Sequence, residues 1–168
     1  MDFQQLSQER YSCRAFKDQP VPEDLLLRVL EAGRVAPTAC NRQPQRVKIV
    51  RTPEDLAKID QCISRRFGAP VVLVVCYDAK ACWVRKGGHA SSGEIDASIA
   101  ATHLMLQAHE LGLGTTWVMD FDAKKTVKLF GLPKHVEPVA MLPLGWPAED
   151  AAPSEWHARR QAMEGMLL

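Results

Sequence analysis

Apolar residues along the chain alternate between two spacings, and the switches mark out helices and strands. Residues 2–9 read as a short opening helix with Phe3 and Leu6 on one side. Val21–Pro22–Glu23–Asp24 opens a second helix, because Pro fits a first turn and acids there complement the helix dipole. Leu26, Val29, Leu30 and Gly33 follow at i, i+3, i+4 and i+7, the spacing of one buried face, and Pro37 stops the helix. Val47 and Ile49 alternate with Arg46, Lys48 and Arg51, the period of a half-exposed strand. Thr52–Pro53–Glu54–Asp55 is a capped helix start. Leu56, Ile59 and Ile63 give that helix its inner face, and Arg65 and Arg66 close it. Val71–Tyr77 is an unbroken β-branched run, the mark of a strand covered on both faces.

Residues 78–93 break the pattern, and Glu94–Leu111 is the longest helical stretch. Its Ile95, Ile99, Leu104, Leu106 and Leu111 are interleaved with alanines, so it reads as a central helix apolar over most of its circumference. Gly112 ends it, residues 113–118 run as a strand, and Asp122 caps a helix that reaches Phe130. Val136–Leu144 is the last strand, turned by Gly145–Trp146–Pro147. The tail, 148–168, is too short for a domain and too apolar for a linker, so it is expected to pack on the body or on a second subunit. With no repeats and no linker, residues 1–168 read as one α+β domain, its helices packed around one sheet.

Composition narrows the function classes. The 168 residues carry 21 basic and 20 acidic side chains, a balance that argues against nucleic acid or a membrane surface as partner. No apolar run reaches membrane-span length. The N-terminus lacks the basic-then-apolar pattern of a secretory signal, so a cytoplasmic location is expected. Cysteines stand at 13, 40, 62, 76 and 82, an odd number with no C-x-x-C pair, which suggests neither a disulfide framework nor a zinc site. Cys76 reads as core, whereas Cys13 and Cys40 lie in polar stretches near possible chemistry. His103 and His109 are six apart and do not form a metal pair.

Three stretches are candidates for chemistry. Arg10–Tyr11–Ser12–Cys13–Arg14 sets a hydroxyl between two guanidiniums, donors suited to a phosphate or carboxylate, and equally a solvated helix end. Ala36–Gln45 is almost free of apolar bulk and offers Thr38, Asn41, Arg42, Gln43 and Gln45, a varied polar set suited to a small heterocycle, and equally a solvated turn. Residues 78–93 form a basic, Gly-rich excursion around Trp83 that suits a lid or partner contact, or disorder. No nucleophile–base pair, metal cluster, P-loop or dinucleotide fingerprint is present, which fits a protein whose reactive atoms belong to a cofactor.

Four blocks, in order, resemble the nitroreductase family of FMN-dependent oxidoreductases. They are Arg10–Arg14 with Phe16 and Pro20–Pro22, Ala36–Pro44, Ala108–Trp117, and Pro143–Pro147 with the later Arg159–Arg160. The resemblance implies a central, mixed but mainly antiparallel sheet packed by helices, in an intertwined homodimer with FMN in two interface sites. It implies ping-pong transfer from NADH or NADPH to a small-molecule electron acceptor, such as a nitroaromatic or quinone. An FMN-binding or sensing protein with little turnover is the alternative. By the same resemblance Arg10 and Ser12, with Tyr11 and Arg14 beside them, would bind the flavin phosphate and ring edge. Pro37, Thr38 and Ala39 would face the ring from the other subunit, with Asn41 and Gln43 in the same loop. The segment Trp117–Val118–Met119–Asp120 would offer backbone N–H groups to flavin N5, and Arg159 or Arg160 would reach the phosphate. Met119–Asp120 departs from the family's Gly-containing pair. The excursion at 78–93 lies outside the four blocks and is the first candidate for acceptor choice.

Overall fold

The Val71–Tyr77 run lies in the middle of a four-stranded sheet in the computed structural model, which describes residues 2–87 and 90–168. The strands are β1 (Gln45–Val50), β2 (Val71–Asp78), β3 (Gly114–Thr115) and β4 (Val136–Gly145), in the order β1-β2-β4-β3. All three ladders are antiparallel. One parallel bridge, Ser12 to Thr115, adds the N-terminal segment beside β3 and gives the sheet its mixed edge.

Period-two alternation on β2 divides the core. Val71, Leu73, Val75 and Tyr77 face one apolar cluster with Leu26 and Val29 of α2 (Glu23–Arg34) and Ala97, Ala101 and Leu104 of α4 (Gly93–Glu110). Val72, Val74 and Cys76 face the other, with Ile59 and Met141. That second layer is closed by α3 (Pro53–Ile59) and by side chains of α5 (Ala123–Phe130). A short α1 (Phe3–Glu9) packs near α4. Gly33 is required where α2 crosses α4, since a Cβ there would come within 2.7 Å of Leu104.

Several elements differ from the sequence reading, each for a physical reason. The helix expected to close at Arg65–Arg66 ends at Ile59. Phe67 and Gly68 then take positive φ, and the Arg66 guanidinium turns back to Asp60 and the Ala69 carbonyl. The strand expected over 113–118 keeps only two ladder residues, although Val118 still pairs with Met141 in the same register. That register sets Thr116 opposite Pro143, at a pair that should exchange two hydrogen bonds, and proline has no N–H to give. The long helix buries its alanines, but Ile95 is 60% exposed, so its outer stripe is open. Cys13 is fully buried with its thiol pKa raised by that burial, not set at a polar site. Cys76 is core, its thiol pushed up to about 12.

Of the excursion at 78–93, Gly88 and His89 lie outside the described residues. Its stem is paired: Ser92 N–H donates to the Trp83 carbonyl at 2.9 Å, and Arg85 N–H to Ala90 at 3.1 Å.

Candidate functional site

Both ends of the chain build one cleft. Residues 10–14 are fixed along β3 by the Cys13 N–H, which donates to the Thr115 carbonyl at 2.9 Å. Gly114 permits this approach, because a Cβ there would lie 2.7 Å from the Cys13 side chain. The tail returns over the same region, where the His157 ring nitrogen lies 3.0 Å from the Gln8 carbonyl. Between them is a cleft of about 200 Å³ lined by Arg10, Ser12, Arg14, Ser154, Trp156, His157 and Arg160.

The charges in this cleft are unbalanced. Among the described residues, Arg10, Arg14 and Arg160 have no carboxylate partner, whereas Arg159 pairs with Glu155 at 3.1 Å and is not among the lining residues. Arg10 is half-buried, and its pKa is lowered first by burial and then by the Arg160 charge. Three guanidiniums and a hydroxyl converging without a counter-charge form a donor set for an anion. Tyr11 stands behind the cleft. Its ring meets His109 and His157 edge-on, at centroid distances of 6.4 and 6.5 Å. His109 is held below the ordinary histidine range by burial first, then by Arg10.

The polar loop is organised differently. Pro37 is exposed, Thr38 and Ala39 are half-buried, and Asn41 and Gln43 are exposed. Cys40, Asn41 and Gln43 all hold φ near +50°, a left-handed conformation costly for residues with a Cβ. Thr38 Oγ1 accepts from the Gln43 N–H at 3.0 Å. Asp96 Oδ1, on the first turn of α4, accepts from the Ala39 N–H at 2.9 Å. Asp96 is 1% exposed, and its other oxygen accepts from Ser92 Oγ at 2.7 Å. Sequence reading missed Ser92 and Asp96, whose only signal is an i, i+4 hydroxyl–carboxylate pair at a helix start.

Trp117 and Val118 are half-buried, and Met119 and Asp120 are exposed. The Val118–Met141 and Ile63–Phe121 bridges bracket the segment. Neither the Met119 nor the Asp120 N–H has a backbone acceptor among the described residues. The Asp120 carboxylate turns to Ser64 at 3.4 Å.

The family model described as the Nitroreductase family matches residues 8–67 and 64–146. The chain belongs to the nitroreductase family. A family member from Clostridium difficile is 34% identical, with a TM-score of 0.93 over 100% of this chain and 98% of that one. A protein of Methanothermobacter thermautotrophicus named NADH dehydrogenase/NAD(P)H nitroreductase is 34% identical over 89% of this chain and 80% of its own length. A nitroreductase from Desulfovibrio desulfuricans, solved in complex with FMN, is 25% identical, with a TM-score of 0.79 over 98% of this chain and 94% of that one. Both the cleft-lining segment 10–14 and the loop at 36–45 fall inside the matched region, whereas the tail arginines lie beyond it. Among the described residues of this nitroreductase-family chain, no His, Cys, Asp or Glu cluster could hold a metal, and no helix is long and apolar enough to cross a membrane.

Proposed function

We propose that this protein is an FMN-dependent NAD(P)H oxidoreductase working on a small electron-poor acceptor, and that its site is shared between two copies of the chain. The observation that carries the reading is the cleft of Ser12 and three guanidiniums that have no carboxylate partner among the described residues. A phosphate monoester fits this donor set, since its dianion satisfies several forked donors at once. FMN held there would supply the redox chemistry between NADH or NADPH and the acceptor. Arg10, Ser12, Arg14 and Arg160 hold the phosphate, while Arg159 stays with Glu155. Tyr11 braces the cleft from behind. Pro37, Thr38, Ala39, Asn41 and Gln43 face the ring. The exposed stretch after Trp117 and Val118 presents the Met119 and Asp120 N–H groups to the ring edge, and the Asp120 carboxylate stays turned toward Ser64. No side chain need act as acid or base at the ring.

Helix α4 supports a two-chain site. The ring loop is tied to its start at Asp96, and the cleft lies beside His109 near its end. Thirteen residues of helix separate the two by about 20 Å, more than a ribityl chain can span. A second copy's loop meets that need. Leu27, Val35, Ile95, Met163, Met166 and Leu167 are each more than half exposed, apolar surface a dimer would cover.

The first test is colour. The purified protein should be yellow or take up added FMN, bleach with NADH or NADPH without oxygen, and recover with a nitroaromatic or quinone. A colourless chain that ignores FMN overturns the reading, and uptake with no bleaching points to a binding or sensing role. Complementation tests the shared site. One variant carries Arg10→Ala and the other carries glycines over residues 38–43. Neither alone should bind FMN well, and dissociation and remixing should restore about a quarter of the sites. No recovery would place the whole site in one chain.

A further inference from the structure

We infer that Asp96 is the positioning residue for the ring-facing loop, and that through Ser92 it ties that loop to the Trp83 segment. The inference deepens the flavin reading above and rests on it only in its cofactor arm.

The three segments meet at one buried carboxylate. Asp96 Oδ1 takes the Ala39 N–H, and Oδ2 takes the Ser92 hydroxyl. Ser92 Oγ in turn accepts the Trp83 N–H at 3.2 Å, while the Ser92 N–H donates to the Trp83 carbonyl at 2.9 Å. Both Ser92 and Asp96 are buried, and no cation is paired with Asp96 among the described residues. A buried carboxylate without a cation is costly, so it depends on its donors being held in place. The loop needs such an anchor. Three of its residues sit at φ near +50°, and a surface loop carrying that strain relaxes unless something outside it fixes the backbone. Within the loop the Gln43 N–H donates to Thr38 Oγ1, and the Asn41 and Arg42 N–H groups donate to the Thr38 and Ala39 carbonyls, bonds that close the turn on itself, while the Arg46 guanidinium of β1 holds the Gln43 carbonyl at its far end. The Ala39–Asp96 bond joins the start of the loop to α4, the longest helix of the domain, with one face buried in the core. Because Ser92 shares the same carboxylate, a shift of the Trp83 segment alters the donor set that holds Ala39. The rim of the site and the ring-facing loop are therefore mechanically linked.

Limited trypsin digestion reads the latch without any cofactor. Arg42 is exposed, is followed by Gln43, and is held inside the strained loop. In Asp96→Ala, cleavage after Arg42 in FMN-free protein should speed up at least tenfold, while Asp96→Asn, which keeps an acceptor for Ala39, should stay near the wild-type rate. Should Asp96→Ala fail to fold, Ala39→Pro removes the same bond from the loop side, and Pro suits the first position of the short turn that begins there. Cleavage at the wild-type rate in the folded variant overturns the latch. In the cofactor arm, Asp96→Ala should raise the FMN dissociation constant about tenfold and alter the visible circular dichroism of bound flavin, with Asp96→Asn restoring both. Fast cleavage with unchanged FMN binding and spectrum overturns the positioning role. A wild-type chain that binds no FMN overturns the flavin reading instead, and the digestion still decides the latch.

Discussion

The arginine cleft and the 36–45 loop face the same proposed ligand by opposite means. The cleft works through charge: three guanidiniums with no carboxylate among the described residues, on segments from the two ends of the chain. The loop works through backbone shape: a string of left-handed residues held by a neutral hydroxyl and a buried acid 57 residues away. A charged cradle tolerates small displacements, because Coulomb attraction falls off slowly with distance. A flat ring read by amides does not, because hydrogen bonds weaken steeply with angle. On the proposed flavin reading, this difference matches a loop anchored to a long, half-buried helix and a cleft closed by an exposed tail.

Several substitutions can break or sharpen this contrast, beginning with the largest effect. Arg10→Ala should weaken FMN binding by about 1.5–3 kcal/mol while leaving riboflavin, which lacks the phosphate, almost unaffected. Equal losses for both ligands, in fluorescence titrations, would mean that the cleft does not act on the phosphate. Raised salt should weaken FMN binding in the wild type and have less effect in Arg10→Ala, since screening acts on the charge that the variant lacks. Cys40→Gly should add about 1 kcal/mol of stability by relieving a left-handed residue, read as a higher Tm. A lower Tm would show that the loop's conformation carries no strain. Thr38→Val should loosen FMN by about 0.5 kcal/mol, because water can replace the lost acceptor at an exposed Gln43 N–H.

The smallest effect concerns pH. Burial and Arg10 hold the His109 pKa below its unfolded value of about 6.5. The folded state therefore resists a proton that the unfolded chain accepts, so this contribution is intact above that value and is lost as pH falls through it. Stability should decline from pH 7 toward pH 5, and His109→Gln should flatten that part of the curve. An unchanged slope would mean that His109 is not the responsible group.

What could be read from the sequence follows the same division. The capped helix starts and the β-branched central strand survive translation into structure, because they carry their chemistry in their identity. Thr52 and Asp122 do cap their helices, accepting from Asp55 and Lys125. Spatial relations were hidden. Arg159 and Arg160 are indistinguishable as letters, and only Glu155 one turn away separates them. Asp96 looked like an ordinary acid in a first turn, since nothing local announces a partner at Ala39. Ile95 fitted an apolar helix, yet it lies on the stripe the domain leaves open. The interruption of β3 needed knowledge of register, because Pro143 matters only once Thr116 is set opposite it.

The joining of residues 10–14 to residues 154–160 has a consequence for how the fold closes. Arg10 and Arg160 lie 150 positions apart in the sequence, so their meeting closes a long loop and the cleft is among the last contacts of the fold to form. A chain cut before Ser154 keeps every strand of the sheet and every core residue but lacks the second wall of the cleft. Retention of phosphate-bearing ligand would thus separate molecules that carry residues 154–160 from cut ones that melt almost alike.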